Sequence, residues 1–288
     1  MEIAAQIALN AVIAGAIYAL VALGFNLIYG TARFLDIGYG ALITVGGYAV
    51  FYFSTALGLP SILAIVLGIL VAGALGYLFE KVIYRPLRAR KASGTVLLVA
   101  SLGVLTLVQA IIAIIFSSQF QTLARSGSER VYTILGGAIT QTQVIIFAAA
   151  LAIMLLLGLL LRYTLFGKAV RAVSDDEEVA KIVGINAEKI MGWVFFIGSA
   201  IAGAAGAAIA FDTGIQPTMG LSFLLKGAIA AIIGGIGNVY GGIIGAFFLA
   251  IIENLGAWQF AGEWKDAVAF AVLIVFLLFR PQGFWPSK

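Results

Sequence analysis

The sequence predicts an all-α, polytopic transmembrane bundle of eight or nine spans in a single domain, residues 1–288, and three observations carry that prediction. Mean hydropathy is +1.11, with 62% hydrophobic and only 10% charged residues, more apolar surface than a soluble fold of this size can cover. Uncharged runs such as Leu97 to Phe116 reach the roughly 20 residues that cross the hydrocarbon as a helix. Those runs lack the short alternating pattern of a barrel strand. Composition also closes off chemistry: without cysteine there is no disulfide or thiolate, and without histidine the commonest acid/base group and metal ligand is missing.

The first run, Ile3 to Tyr29, has no basic segment before it and no small-residue cleavage site after it, so it reads as a retained span. Ile37 to Leu57 and Ser61 to Glu80 follow, then a basic connection, Lys81 to Lys91, then Thr95 to Phe116. Ser117 to Thr142 reads as a loop, Gln143 to Leu161 as a span, and Arg162 to Lys189 as a second polar connection. Ile190 to Phe211, Leu221 to Ile236, Val239 to Asn254 and Ala267 to Phe279 complete the set. Lys81, Arg85, Arg88, Arg90 and Lys91 in the first polar connection, and Arg162, Lys168, Arg171, Lys181 and Lys189 in the second, place both in the cytoplasm by the positive-inside rule. Alternation then puts the N-terminus outside and the tail, Arg280 to Lys288, inside.

Two breaks interrupt the apolar pattern. Arg33 and Asp36 break Tyr29 to Gly40, and GGIGN, Gly234 to Asn238, joins two spans of minimal length. Freed backbone is tolerated in a membrane only where protein or a water-filled cavity surrounds it, and short glycine-broken segments in both halves of a chain point to a transport pathway. Ordinary turns between short helices account for the breaks equally well. Asp36, Tyr39, Gly234, Gly235, Gly237 and Asn238 are the candidate pathway residues. Gly237, Gly241 and Gly245, and likewise Gly198, Ala202 and Gly206, repeat at intervals of four, which lets helix backbones approach closely.

Asp36, Asp212, Lys226 and Glu253 stand singly, mostly near span ends where the interface can solvate them. No nucleophile with its base, no metal cluster and no Walker loop is visible. No catalytic or metal-ligating residue is therefore assigned, no cofactor is expected on this chain, and any nucleotide must be bound by another one.

The polar connection Arg162 to Lys189 holds ten of the thirty charged residues, four of them consecutive acids in SDDEEVAKIVGI. Ser174 followed three positions later by Glu177 predicts a capping box. Asp175, Asp176, Glu177 and Glu178 then sit where the helix dipole favours negative charge, and Lys181 where it favours positive. Gly184 is placed to end the helix. A helix from Asp175 to Val183 is about 13 Å long, too short to span and marginal alone. Val179, Ile182 and Val183 share a face and Ala180 lies between them. Since four acids disfavour an anionic leaflet, the surface for that face is either the cytoplasmic ends of the chain's own spans, the first expectation, or another protein.

Glu178 to Gly184 also resembles the E-A-A-x-x-x-G loop of ABC-importer permeases, with Val179 in place of the first alanine. TLFGKAVRAVSDDEEVAKIVGIN (Thr164 to Asn186), AAIIGGIGNVYGGIIGA (Ala230 to Ala246) and WKDAVAFAVLIVFLLFRPQGFW (Trp264 to Trp285) are similar, in order, to the C-terminal half of permeases for branched-chain and other hydrophobic amino acids. GAIYALVALGFNLIYG, Gly15 to Gly30, is similar to that family's first span. The chain departs from the family at RFLDIGYG, Arg33 to Gly40, where members often carry Asn-Phe-Ala-His-Gly. That departure leaves the ligand open among hydrophobic amino acids, urea and short amides. The resemblance implies a bacterial inner-membrane importer with a second homologous permease chain, two cytoplasmic subunits that bind ATP and magnesium, an external solute-binding protein, and no nucleic acid. In that picture Ser174 to Gly184 form the coupling helix that docks in a groove of an ATPase subunit.

Overall fold

The computed structural model describes residues 2–123, 130–134, 136–260, 262–280 and 282–285. Parts of the predicted loop 117–142 and of the predicted tail 280–288 lie outside them. Every predicted span is a helix: α1 (Glu2–Ala32), α2 (Tyr39–Thr55), α3 (Ser61–Phe79), α5 (Gly94–Phe116), α6 (Gln141–Tyr163), α9 (Ala187–Asp212), α10 (Met219–Gly234), α11 (Val239–Phe260) and α12 (Lys265–Phe279). The polar connections fold as well, into α4 (Arg85–Ala89), α7 (Leu165–Asp175) and α8 (Glu177–Ile182). Among the described residues six helices are long and apolar enough to cross a membrane.

Burial separates the centre from the rim. The most apolar window of α1 is 89% buried and that of α9 is 78%, against 22% for α6. Small residues decide this: α9 carries Gly198, Gly203, Gly206 and eight alanines, so neighbours come within backbone distance. The outer helices expose leucine and isoleucine, as a lipid-facing surface does.

α3 does not stop at Glu80. It runs through a π-helical turn, Glu80–Tyr84, into α4, so the predicted basic connection is mostly helix. The wide turn lets buried Glu80 meet Arg88 at 2.5 Å. The loop read between α5 and α6 contains a hairpin, β1 (Val131–Ile134) with β2 (Gly137–Thr140). Gln6 holds it to α1, accepting from the Ala138 amide at 2.8 Å and donating to its carbonyl at 3.1 Å.

The helices form two triplets of opposite direction. In each, a long helix ends in a six-residue break (33–38 after α1, 213–218 after α9), a short helix follows, and a hairpin turn leads to a third. α1 and α9 cross antiparallel, with Phe34 near Phe195 at one end and Gly24 against Gly198 further along. α1 packs on α11 as α3 packs on α9. The two short helices meet at their N-termini, where Gly40 and Gly220 press backbone to backbone. An inverted repeat of this kind is a transporter architecture, and it explains why α2 and α10 are short: each starts inside the bundle. The true counterpart of the first break is therefore 213–218, not the Gly234 to Asn238 turn that the sequence pattern paired with it.

Candidate functional site

α7 and α8 are built by local chemistry. Thr164 caps α7 by accepting from the Gly167 amide at 3.0 Å, and Val170 and Val173 bury its inner face. That burial carries the helix through Ser174, so the predicted capping box does not form. The Ser174 hydroxyl instead lies 3.3 Å from the Thr31 hydroxyl, and its carbonyl accepts from Arg33 at 2.5 Å. Asp176 is the cap of α8, accepting from the amides of Glu178 at 2.8 Å and Val179 at 3.0 Å. Glu177 and Glu178 fill the first turn, favoured by the dipole. Lys181 pairs with Glu177 at 2.7 Å, and that hydrogen bond raises the pKa of the lysine.

Gly184, at φ +87, ends the helix as expected: its amide donates to the Lys181 carbonyl and that of Ile185 to Ala180. These two bonds form the Schellman closure. The helix is thus six residues long, about 9 Å. Its apolar face does not fold onto the chain's own spans. Ala180 alone is buried, while Val179, Ile182 and Val183 are 54%, 83% and 68% exposed. The short helix is thus capped at both ends and turns three branched apolar side chains outward.

Behind it lies a cavity of about 480 Å³ that joins both sequence breaks to the polar connection: Tyr29, Thr31 and Arg33 from the first, Gly237 and Asn238 from the second, Arg171, Ser174 and Asp175 from α7. The Arg85–Glu188 ion pair places the two basic connections at this same end.

Of the candidate pathway residues, only Gly237 and Asn238 line that cavity. Asp36 is buried in its break and accepts from the Tyr84 hydroxyl at 2.7 Å. Tyr39 is fully buried, donating to the Val21 carbonyl at 3.2 Å. Gly234 lies against Gly241 where α10 and α11 cross. Gly235 and Gly237, at φ +113 and +83, make the turn, so Gly237 is no part of a helix interface. Asn238 caps α11 through the amides of Tyr240 and Gly241, both at 3.1 Å.

The residue that organises this turn, Asn26, went unremarked in the sequence. It is 1% exposed, accepts from the Gly237 amide at 3.0 Å and donates to the Asn238 carbonyl at 3.0 Å. A lone asparagine inside GFNLIYG was the available signal. Asn26→Leu leaves two backbone groups unpaired, which costs about 1–3 kcal/mol each. A clear drop in the unfolding temperature of the purified protein is expected, together with faster hydrogen exchange at residues 235–241.

The charged groups inside the spans are not single. Lys226 Nζ lies 2.6 Å from Glu253 Oε1 and 3.0 Å from Asp266 Oδ1, and Asp212 accepts from Gln143 at 3.1 Å. Glu253 is 1% exposed. The expectation of solvation at the interface fails for Lys226 and Glu253, which α10 and α11 enclose together, and for buried Asp36, while Asp212 and Asp266 keep solvent access at helix ends.

An inverted repeat of apolar helices, with a capped polar helix uncovered at one end, defines a multi-pass membrane transport subunit. The family model described as branched-chain amino acid transport system, permease component, matches residues 7–277, and the chain belongs to that family. It is 32% identical to the high-affinity branched-chain amino acid transport system permease protein BraD of Pseudomonas aeruginosa, covering 95% of this chain and 93% of that protein. Against LivH of Escherichia coli K12, which carries the same description, it is 32% identical over 95% and 92% of the two chains. A second permease of that organism, LivM, is 25% identical over 94% of this chain and 68% of its own length.

Proposed function

We propose that this chain is the transmembrane subunit of an ABC importer for branched-chain or other hydrophobic amino acids. In this reading it sits in a bacterial inner membrane beside a second permease chain, two ATPase subunits seat against its cytoplasmic end, and a solute-binding protein delivers substrate from outside. The N-terminus then faces outward, and residues 81–91, 162–189 and the C-terminal tail face the cytoplasm. The chain itself carries no nucleotide; ATP and magnesium belong to the partner subunits, where hydrolysis supplies the driving energy.

The observation that carries the proposal is the outward apolar face of α8 on a helix capped at both ends. Such a helix transmits displacement without bending. It is continuous with α9 through the Asn186 cap, which accepts from the Lys189 amide at 3.0 Å. It also reaches α1 through Ser174, Thr31 and Arg33. Pushing on α8 therefore moves the leading helices of both repeats, and rocking one repeat against the other is how inverted-repeat transporters alternate access.

The test is reconstitution of the chain with the subunits encoded beside its gene. Leucine uptake into proteoliposomes is expected only with ATP, both ATPase subunits and the binding protein. Uptake by this chain alone under an ion gradient sinks the proposal in favour of a secondary carrier.

A further inference from the structure

The cluster around Lys226 lies outside the cavity behind α8. Besides Glu253 and Asp266, the Lys226 ammonium lies 3.3 Å from the Tyr18 hydroxyl, so α1, α10, α11 and α12 converge on one cation. Two carboxylates against one ammonium leave a net negative charge, and Glu253 Oε2 is buried without a hydrogen-bond partner among the described residues. Glu253 is the buried acid that Lys226 neutralises, whereas the Asp266 side chain is 62% exposed and solvated, so Asp266 can give up its place on Lys226 at little cost. A structural staple needs only one acid.

Beside the cluster is a cavity of about 220 Å³, walled by Lys226, Asp266 and Ser222 and by Leu221, Leu225 and Phe270. It is small for a cofactor and suits a single small molecule. One wall offers both signs of charge and the other is apolar. Ionisable groups held inside a membrane bundle mark functional sites.

We propose that this cavity is a transient binding position for an apolar, zwitterionic amino acid. The ligand carboxylate takes the place of Asp266 on Lys226, the freed Asp266 pairs with the ligand ammonium, and the ligand side chain lies against Leu221, Leu225 and Phe270. No covalent bond changes. The proposal rests on the import reading and names where in the chain the substrate's two charges are read.

The experiment uses the full transporter, with [³H]leucine binding measured in detergent without the binding protein. Competitors are 3-methylbutylamine, which lacks the carboxylate, and 4-methylpentanoate, which lacks the ammonium. In the wild type each is expected to compete at least tenfold more weakly than leucine. In Asp266→Asn the penalty for losing the ammonium should shrink several-fold while the carboxylate penalty persists. The neutral pair Lys226→Met with Glu253→Gln, which leaves no unpaired charge between those two positions, should lose the carboxylate penalty.

Unchanged discrimination in both variants overturns the proposal and makes the cluster a staple. So does a wild type that imports leucine in liposomes but binds none. A wild type that imports no amino acid at all removes the import reading, and this site with it.

Discussion

Val179→Asp is expected to cut ATP-driven uptake by the assembled transporter about a hundredfold or more while leaving the isolated chain folded. Val179 is half exposed and touches solvent in the free chain, and surface substitutions of that kind change stability by about 0.5 kcal/mol or less. Seated in a partner's groove, the same aspartate is a buried, unpaired charge. That costs about 3 kcal/mol or more, which at 1.4 kcal/mol per tenfold is the stated loss. A neighbour of the same kind, Ile182, is 83% exposed and should respond alike. The measurement is uptake and ATPase co-purification on the same samples. Coupling that survives Val179→Asp removes α8 as the docking element.

The second large effect belongs to the meeting of the two repeats. A Cβ on Gly220 would stand 2.0 Å from the Gly40 carbonyl oxygen and 2.3 Å from the Thr44 hydroxyl. One of these is backbone in the first turn of a helix, so it cannot rotate aside. Gly220→Val must separate α2 from α10, and forced overpacking of this order costs about 3 kcal/mol. Loss of folded protein, or a large fall in unfolding temperature by fluorescence-detected size exclusion, is expected. Gly103→Ala serves as the control: nothing lies within 4 Å of its added methyl, and it should be tolerated. A tolerated Gly220→Val contradicts the close approach of the two short helices.

The spans were legible because each is an apolar run of the length the bilayer demands, and all nine are helices in the structure. The C-terminal stop of α8 was equally legible, since a glycine after a charged turn has one common role there. Its start was not. Ser174 and Asp176 are both good caps, and the choice between them lies with Val170 and Val173, whose burial against other helices extends α7 past the serine. Local chemistry offered two answers and packing selected one.

Charge followed the same division. Lys226, Glu253 and Asp266 are separated by 27 and 13 positions, too far for any helix-face argument to join them, and each alone looks like an interfacial residue. The cluster exists because α10, α11 and α12 fold beside one another. Asn26 and Asn238 are likewise paired across the whole chain.

What the amino-acid order alone determined is therefore one-dimensional: which stretches are apolar enough to lie in lipid, where glycine stops a helix, and which connections carry the positive charge. The inverted repeat, the contact of Gly40 with Gly220, the outward turn of Val179 and Ile182, and the ion cluster were decided only by tertiary structure. The physical reason is that apolar helices in lipid gain little from hydrophobic contrast. Their arrangement is set by which small residues let two backbones touch and by which buried polar groups find partners, and both are properties of pairs of segments distant in sequence.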